Sequence, residues 1–180
     1  MSLQGADIPY IEVTDIKTAR EAVKYATQYA AEYGTIIFDS LSEIAEIVLA
    51  DLMQKTPDPR KVYPEMESAV TRLIRQLREL PCSVIWIAKQ TTVTDDAGRK
   101  SYAPLVPGQK FSDKLPYLLD LVGRLVVDTV QKEDGTISHR RTLRFVPDGT
   151  FTAKDRSGRL PELCPANISK IIERINRPSE

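Results

Sequence analysis

The sequence predicts an α/β fold: a mostly parallel sheet flanked by helices, with an antiparallel hairpin at the C-terminal edge. Three observations carry this reading. Two short apolar runs, TIIFD (35–39) and SVIWIA (83–88), each end in polar residues, as strands buried on both faces of a parallel sheet do. Apolar residues recur at helical spacing before and between those runs. Near the C-terminus, two strand-like runs (123–130 and 140–146) flank Glu133-Asp134-Gly135, a hairpin signal.

A chain of 180 residues has the size of one domain with a sizeable core. Its 42% hydrophobic and 28% charged residues fit a folded globular protein and exclude a disordered one. No run of 18 apolar residues and no signal-peptide core is present, which predicts a protein outside the membrane. Cys82 and Cys164 lie far apart and His139 is the only histidine, so neither a disulfide framework nor a zinc site is expected. A reducing cytoplasm suits that composition. The formal net charge of zero hides an asymmetry: residues 1–80 carry 9 Lys+Arg against 13 Asp+Glu, and residues 81–180 carry 16 against 12. Clusters at Arg140-Arg141 with Arg144, and at Lys154–Arg159, could meet phosphates or simply be solvated.

In chain order, the first seven residues read as a loose end and IPYIEV (8–13) as a short strand. Thr14-Asp15 offers a cap for a helix holding Ala19, Ala22, Val23, Ala26, Ala30 and Tyr33, with Gly34 as its stop. With 35–39 added, this is a βαβ unit. Ile44, Ile47, Val48 and Leu52 line a second helix, and KTPDPRK (55–61) is a loop. Pro64 suits the first turn of a third helix, lined by Met66, Ala69, Val70, Leu73, Ile74 and Leu77. Arg72, Arg75 and Arg78 form its solvated face. From Thr91 to Lys114 the periodicity dissolves into a long connection holding the turn 95–99 and Pro104, Pro107 and Gly108; such loops are often functional. A short helix (112–121), the hairpin, the segment 151–159 and a final helix (168–175) complete the chain.

Asp39 is the first candidate for chemistry. It places a carboxylate at the C-terminal end of a strand, where open α/β sheets hold ligands. Mg²⁺ carrying nucleotide phosphates would be a natural partner, since it prefers a few hard oxygen ligands. The plainer alternative is that Ser40-Leu41-Ser42-Glu43 is a capping box that starts a helix.

The ordered set TIIFDS, SVIWIAKQ, APLVPGQK, LPYLLDLVGRL and FTAKDRSG resembles phage-type nucleotide-binding proteins of the RecA-like P-loop ATPase class, which includes phage single-strand annealing ATPases. The likeness covers roughly residues 8–175 and implies a single RecA-like ATPase domain over 1–180. It implies ATP and Mg²⁺ as cofactors, with Asp39 as the magnesium-side carboxylate and Ser40 assisting. Lys89 and Gln90 would sense the γ-phosphate, and Thr91–Lys114 would touch single-stranded DNA. Lys154 and Arg156, alternating on a strand, would act on a neighbouring subunit's nucleotide in a homo-oligomer, although a solvated hairpin tip explains them too. Glu12 is a further candidate for activating water. The implied function is ATP hydrolysis coupled to single-stranded DNA recombination or annealing in a phage-infected cell's cytoplasm.

The sequence departs from that class at one point. None of its eight glycines begins Gly-x-x-x-x-Gly-Lys-Ser/Thr, the loop whose N–H groups cradle phosphates. In the class that loop precedes the strand resembling 8–13, so the likeness implies a chain that starts downstream of the P-loop strand and helix. Two rival readings follow: a non-catalytic, P-loop-less module for assembly or DNA binding, and an unrelated α/β enzyme using Asp39 for another metal reaction.

Overall fold

The computed structural model describes residues 7–177 except 57, 95–96 and 132–133. Pro57, Glu133 and the first two residues of the turn predicted at 95–99 therefore lie outside the described residues. The chain divides into two compact units, Met1–Ile87 and Ala88–Glu180.

In the first unit, helix α1 (Ile16–Gln28) is opened by Asp15, whose carboxylate accepts the Thr18 N–H at 2.8 Å while the Thr18 hydroxyl oxygen accepts the Asp15 N–H. This reciprocal cap satisfies two donors that the first turn leaves free. The helix ends earlier than the periodicity suggests, and a 3₁₀ turn (Ala30–Glu32) leads to Gly34. Strand β1 (Thr35–Asp39) follows, then α2 (Leu41–Lys55), α3 (Pro59–Arg78) and β2 (Ser83–Ile87). Parallel strands cannot be joined by a tight turn, and here α2 and α3 make the crossover.

Strand β1 pairs with β2 in register, Thr35 beside Ser83 through Asp39 beside Ile87. Phe38 and Trp86 stack on one face of the pair with ring centroids 4.4 Å apart. Val62, Met66, Val70, Ile74 and Leu77 of α3 recur every three or four residues and are all buried. Each such side chain contributes about 1.5–3 kcal/mol relative to an exposed one. The third helix starts at Pro59 rather than Pro64, so Pro64 lies inside it. Its missing N–H falls on an exposed side, where water can meet the freed carbonyl.

Three expectations are corrected in this unit and its neighbour. Residues 8–13 are not a strand: they carry no regular secondary structure, and residues 8–12 are exposed. The first strand is not buried on both faces, because Ile37 is 57% exposed. The sheet is not mostly parallel: β1–β2 is the one parallel strand pair among the described residues. The two-stranded pair leaves an uncovered face, and that explains the exposure of Ile37.

The second unit is built from antiparallel pairs. Strands β3 (Gln90–Thr94) and β4 (Lys100–Pro104) form a hairpin inside the segment read as irregular. Helix α4 (Gln109–Lys114) and a 3₁₀ turn (Leu115–Leu118) precede β5 (Leu121–Val122). The predicted C-terminal hairpin is present as β6 (Arg124–Gln131) and β7 (Ile137–Arg144), with Gly135 at φ 81° in its turn. Strand β8 (Lys154–Asp155) pairs with β5, and β9 (Leu163–Pro165), which the sequence did not announce, pairs with β7. Helix α5 (Ile168–Ile175) places Ile171 against Phe145 and Cys164.

Gly123 sits where β5 passes into β6, and a Cβ there would lie 2.7 Å from the Phe145 ring. Phe145 is itself buried, so the ring cannot withdraw freely. Gly123→Ala is expected to destabilise the fold by about 1–3 kcal/mol, read as a lower urea midpoint at unchanged m-value.

Candidate functional site

Asp39 ends β1 at the carboxyl edge of the parallel pair, opposite Ile87, and its side chain is exposed. The Asp39–Ser40 peptide bond is cis. Ser40 is buried and caps α2, its hydroxyl oxygen accepting the Glu43 N–H at 3.2 Å. The capping reading of this stretch is the one observed. Ser40 starts the helix, and Asp39, one residue earlier, is left facing solvent at the strand end. No group of three or more His, Cys, Asp or Glu side chains able to hold a metal occurs among the described residues. A cation on Asp39 would take its remaining ligands from water and a bound anion, as Mg²⁺ does on nucleotides.

Lys89 and Gln90 follow β2 at the start of the second unit. The Lys89 carbonyl accepts the Leu105 N–H at 2.7 Å, and Gln90 stands opposite Pro104. The Ser112 hydroxyl then donates to the Pro104 carbonyl at 3.0 Å. These bonds seat the APLVPGQK segment on the base of the β3–β4 hairpin, directly behind the two candidate sensors. Gly108, at φ 86°, opens the six-residue α4. A single glycine ahead of so short a helix does not make a phosphate cradle.

Lys154 and Arg156 both turn toward the segment 116–120. The Lys154 ammonium donates to the Leu119 carbonyl at 2.7 Å, and Arg156 forms a 2.9 Å ion pair with Asp120. Lys154 is half-buried, whereas the Arg156 side chain is 72% exposed and that of Asp120 54%. The intervening Asp155 ties the corner down. It accepts the Ser157 hydroxyl at 2.6 Å and the Leu160 N–H at 2.9 Å. Burial opposes ionisation of Asp155, but these bonds, with the Ser157 and Gly158 N–H groups, outweigh it and hold the carboxyl below its ordinary value.

Sequence reasoning named Lys154 and Arg156 but not Asp120, because nothing local links positions 36 residues apart. It also missed Arg124, whose guanidinium lies 4.3 Å from the Tyr102 ring centroid and also faces Phe151. Of the basic cluster near 140, Arg144 is committed to Asp148 and Glu162, while Arg140 and Arg141 remain exposed. Glu12 is exposed in the irregular run 8–13.

Residues 1–157 match the AAA domain family, which covers most of the chain, and the chain belongs to that family. The match assigns it to the nucleotide-binding, ATPase-type domains of P-loop character. No curated protein and no solved structure matches the chain. Asp39 fits the magnesium side of the nucleotide that such a domain implies, whereas the Walker A pattern does not occur in these 180 residues. No helix among the described residues is long and apolar enough to cross a membrane.

Because the Asp155 carboxyl is held below 3.8, its contribution to stability is complete above that pH and is lost as pH falls through the lowered value. Asp155→Asn is expected to lower the melting temperature at pH 7 and to flatten its fall below about pH 4. Thermal melts from pH 7 to pH 2.5 check both features.

Proposed function

We propose that this chain is the Walker B-bearing part of a RecA-like phage ATPase that couples ATP hydrolysis to single-stranded DNA recombination or annealing. The observation that carries the reading is Asp39, exposed at the carboxyl end of a parallel strand in a chain of the AAA domain family. Its carboxylate would orient the waters of a nucleotide-bound Mg²⁺. Lys89 and Gln90, at the root of the β3–β4 hairpin, would pass the state of the nucleotide to residues 91–114, the proposed contact for single-stranded DNA. Arg156 would act across a subunit boundary of a homo-oligomer, where a cation can offset charge developing on the γ-phosphoryl group. The phosphate cradle would come from residues outside this sequence.

One observation favours a second reading. With no Gly-x-x-x-x-Gly-Lys-Ser/Thr pattern present, the chain could serve as a non-catalytic assembly or DNA-binding module. Calorimetry separates the two. The 180-residue chain alone is expected to show no micromolar binding of Mg²⁺-ATP, with or without single-stranded DNA. In a form that carries the P-loop, hydrolysis should appear, and Asp39→Asn should abolish it while the melting temperature stays near wild type. A P-loop-containing form that binds no ATP would favour the non-catalytic module.

The trans arrangement has its own measurement. In that same form, Asp39→Asn subunits mixed with Arg156→Ala subunits should recover part of the ATPase rate, because mixed boundaries pair an intact Asp39 with an intact Arg156. Rates that never exceed the sum of the two separate variants would exclude a role for Arg156 across the boundary.

A further inference from the structure

We propose that Arg124 holds a backbone phosphate of the single strand proposed to meet residues 91–114, so that the contact surface runs from the β3–β4 hairpin onto the start of β6. Such a contact rests on the proposed role of residues 91–114 and adds to it a residue outside that segment.

Arg124 opens β6, and its guanidinium lies 4.3 Å from the centroid of the Tyr102 ring and 5.8 Å from that of Phe151. Both rings belong to a fixed platform. Phe151 is buried with Val122 and Ala153, Tyr102 packs against that cluster, and the Tyr102 N–H donates to the Thr150 carbonyl at 2.6 Å. Ring contacts engage an arginine's charge but none of its five N–H donors. Those of Arg124 have no hydrogen-bond or ion-pair partner among the described residues. Its neighbour across the ladder, Arg144, differs, because Asp148 and Glu162 pair with it. Like charges directly opposite on two strands repel. Both carboxylates settle on one of the two, which leaves Arg124 as the cation without a paired carboxylate.

The hairpin face that Arg124 covers suits the same ligand. Register sets Gln90 beside Pro104, Thr92 beside Tyr102 and Thr94 beside Lys100, so these side chains share one face. None of them is acidic. Gln90, Thr92, Thr94 and Lys100 are exposed and supply amide, hydroxyl and ammonium donors, the groups that contact phosphates and sugars in nucleic-acid complexes. One cation stands at the outer end of this row, Lys100, and another over its middle, Arg124. Such a row tracks a backbone rather than a lone ion. The fork of a stacked arginine meets two phosphate oxygens at once. Because the rings hold Arg124 before the ligand arrives, little rotamer freedom is lost on binding. The exposed side chains of this face include no aromatic or aliphatic anchor of the kind that holds a protein partner, which favours a phosphodiester chain over an acidic peptide.

Fluorescence anisotropy of a labelled single strand of about 20 thymidines, titrated with the 180-residue chain between about 50 and about 300 mM KCl, tests this. Wild-type affinity is expected to fall as salt rises. Arg124→Gln should bind about tenfold more weakly and reduce the slope of log affinity against log salt by about 0.7, the share of one phosphate contact on a single strand. Arg124→Met, whose thioether still packs on the Tyr102 ring, should show the same change and guards against a loss of fold. Arg124→Lys keeps the charge and should restore the slope. Arg72→Gln, on the exposed face of α3, should leave slope and affinity unchanged. A wild-type slope in a folded Arg124→Gln or Arg124→Met chain would overturn the inference and leave the hairpin's own contact standing. So would an Arg124→Lys slope as shallow as that of Arg124→Gln, since the loss would then come from hairpin geometry and not from charge. An equal drop with Arg72→Gln would reduce the effect to overall charge and overturn it as well. Absence of binding by the wild-type chain at the lowest salt would remove the Arg124 contact together with the proposed role of residues 91–114.

Discussion

Everything in the first unit depends on one pairing, the parallel ladder between Thr35–Asp39 and Ser83–Ile87. A parallel ladder imposes a long crossover, and the crossover here is α2 followed by α3, whose buried stripe from Val62 to Leu77 supplies much of the apolar core. The same ladder fixes where chemistry can occur. It brings Asp39 to the strand's carboxyl end, and the next residue has to turn the chain into α2. Ser40 makes that turn with its own hydroxyl as the cap, so the carboxylate before it is held at a defined place without being consumed by the fold. Of the Asp-Ser pair, Ser40 is taken up by the fold and Asp39 is left exposed beside it.

The second unit uses different means to the same end. Its strands are antiparallel and its cations are held by local acceptors. Lys154 reaches carbonyls of the preceding turn, Arg156 meets Asp120, and Asp155 between them gathers four donors. The half-buried Lys154 contact is the more structural of the two. The Arg156–Asp120 pair is exposed on both sides, and exposed pairs contribute only about 0–1 kcal/mol. So little holds Arg156 in place that a phosphate with two or three charges can compete for it, and the ion pair is compatible with a role outside this chain.

Helices and strand ends were legible in the sequence because they rest on local rules. Periodicity marked α2 and α3, Thr14-Asp15 marked the start of α1, and Gly135 marked the β6–β7 turn. What failed was non-local. The strand pattern of 35–39 predicted burial on both faces, but burial depends on what lies beside and above a strand, and Ile37 has no such cover. Residues 91–94 and 100–104 look irregular in sequence because they are rich in polar residues and lack a clean alternation, while the register between the two strands makes a hairpin. Strand β9 is three residues long and contains Pro165, too short for any periodicity to show. The site divides the same way. Asp39 announces itself by following an apolar run, whereas the partnership of Arg156 with Asp120 is made only when β5 and β8 meet.

The root of the β3–β4 hairpin has a mechanical consequence. Lys89, Gln90, Leu105 and Pro104 are fastened together there, and the five-residue strands extend away from that anchor. Five residues of strand reach about 17 Å, so a tilt of about 10° at the root would sweep the far end through about 3 Å by simple geometry. The hairpin is therefore a lever with its fulcrum at Lys89 and Gln90, the two residues proposed to sense a nucleotide. A displacement there too small to break a hydrogen bond would be magnified at the tip into one large enough to make or lose a contact.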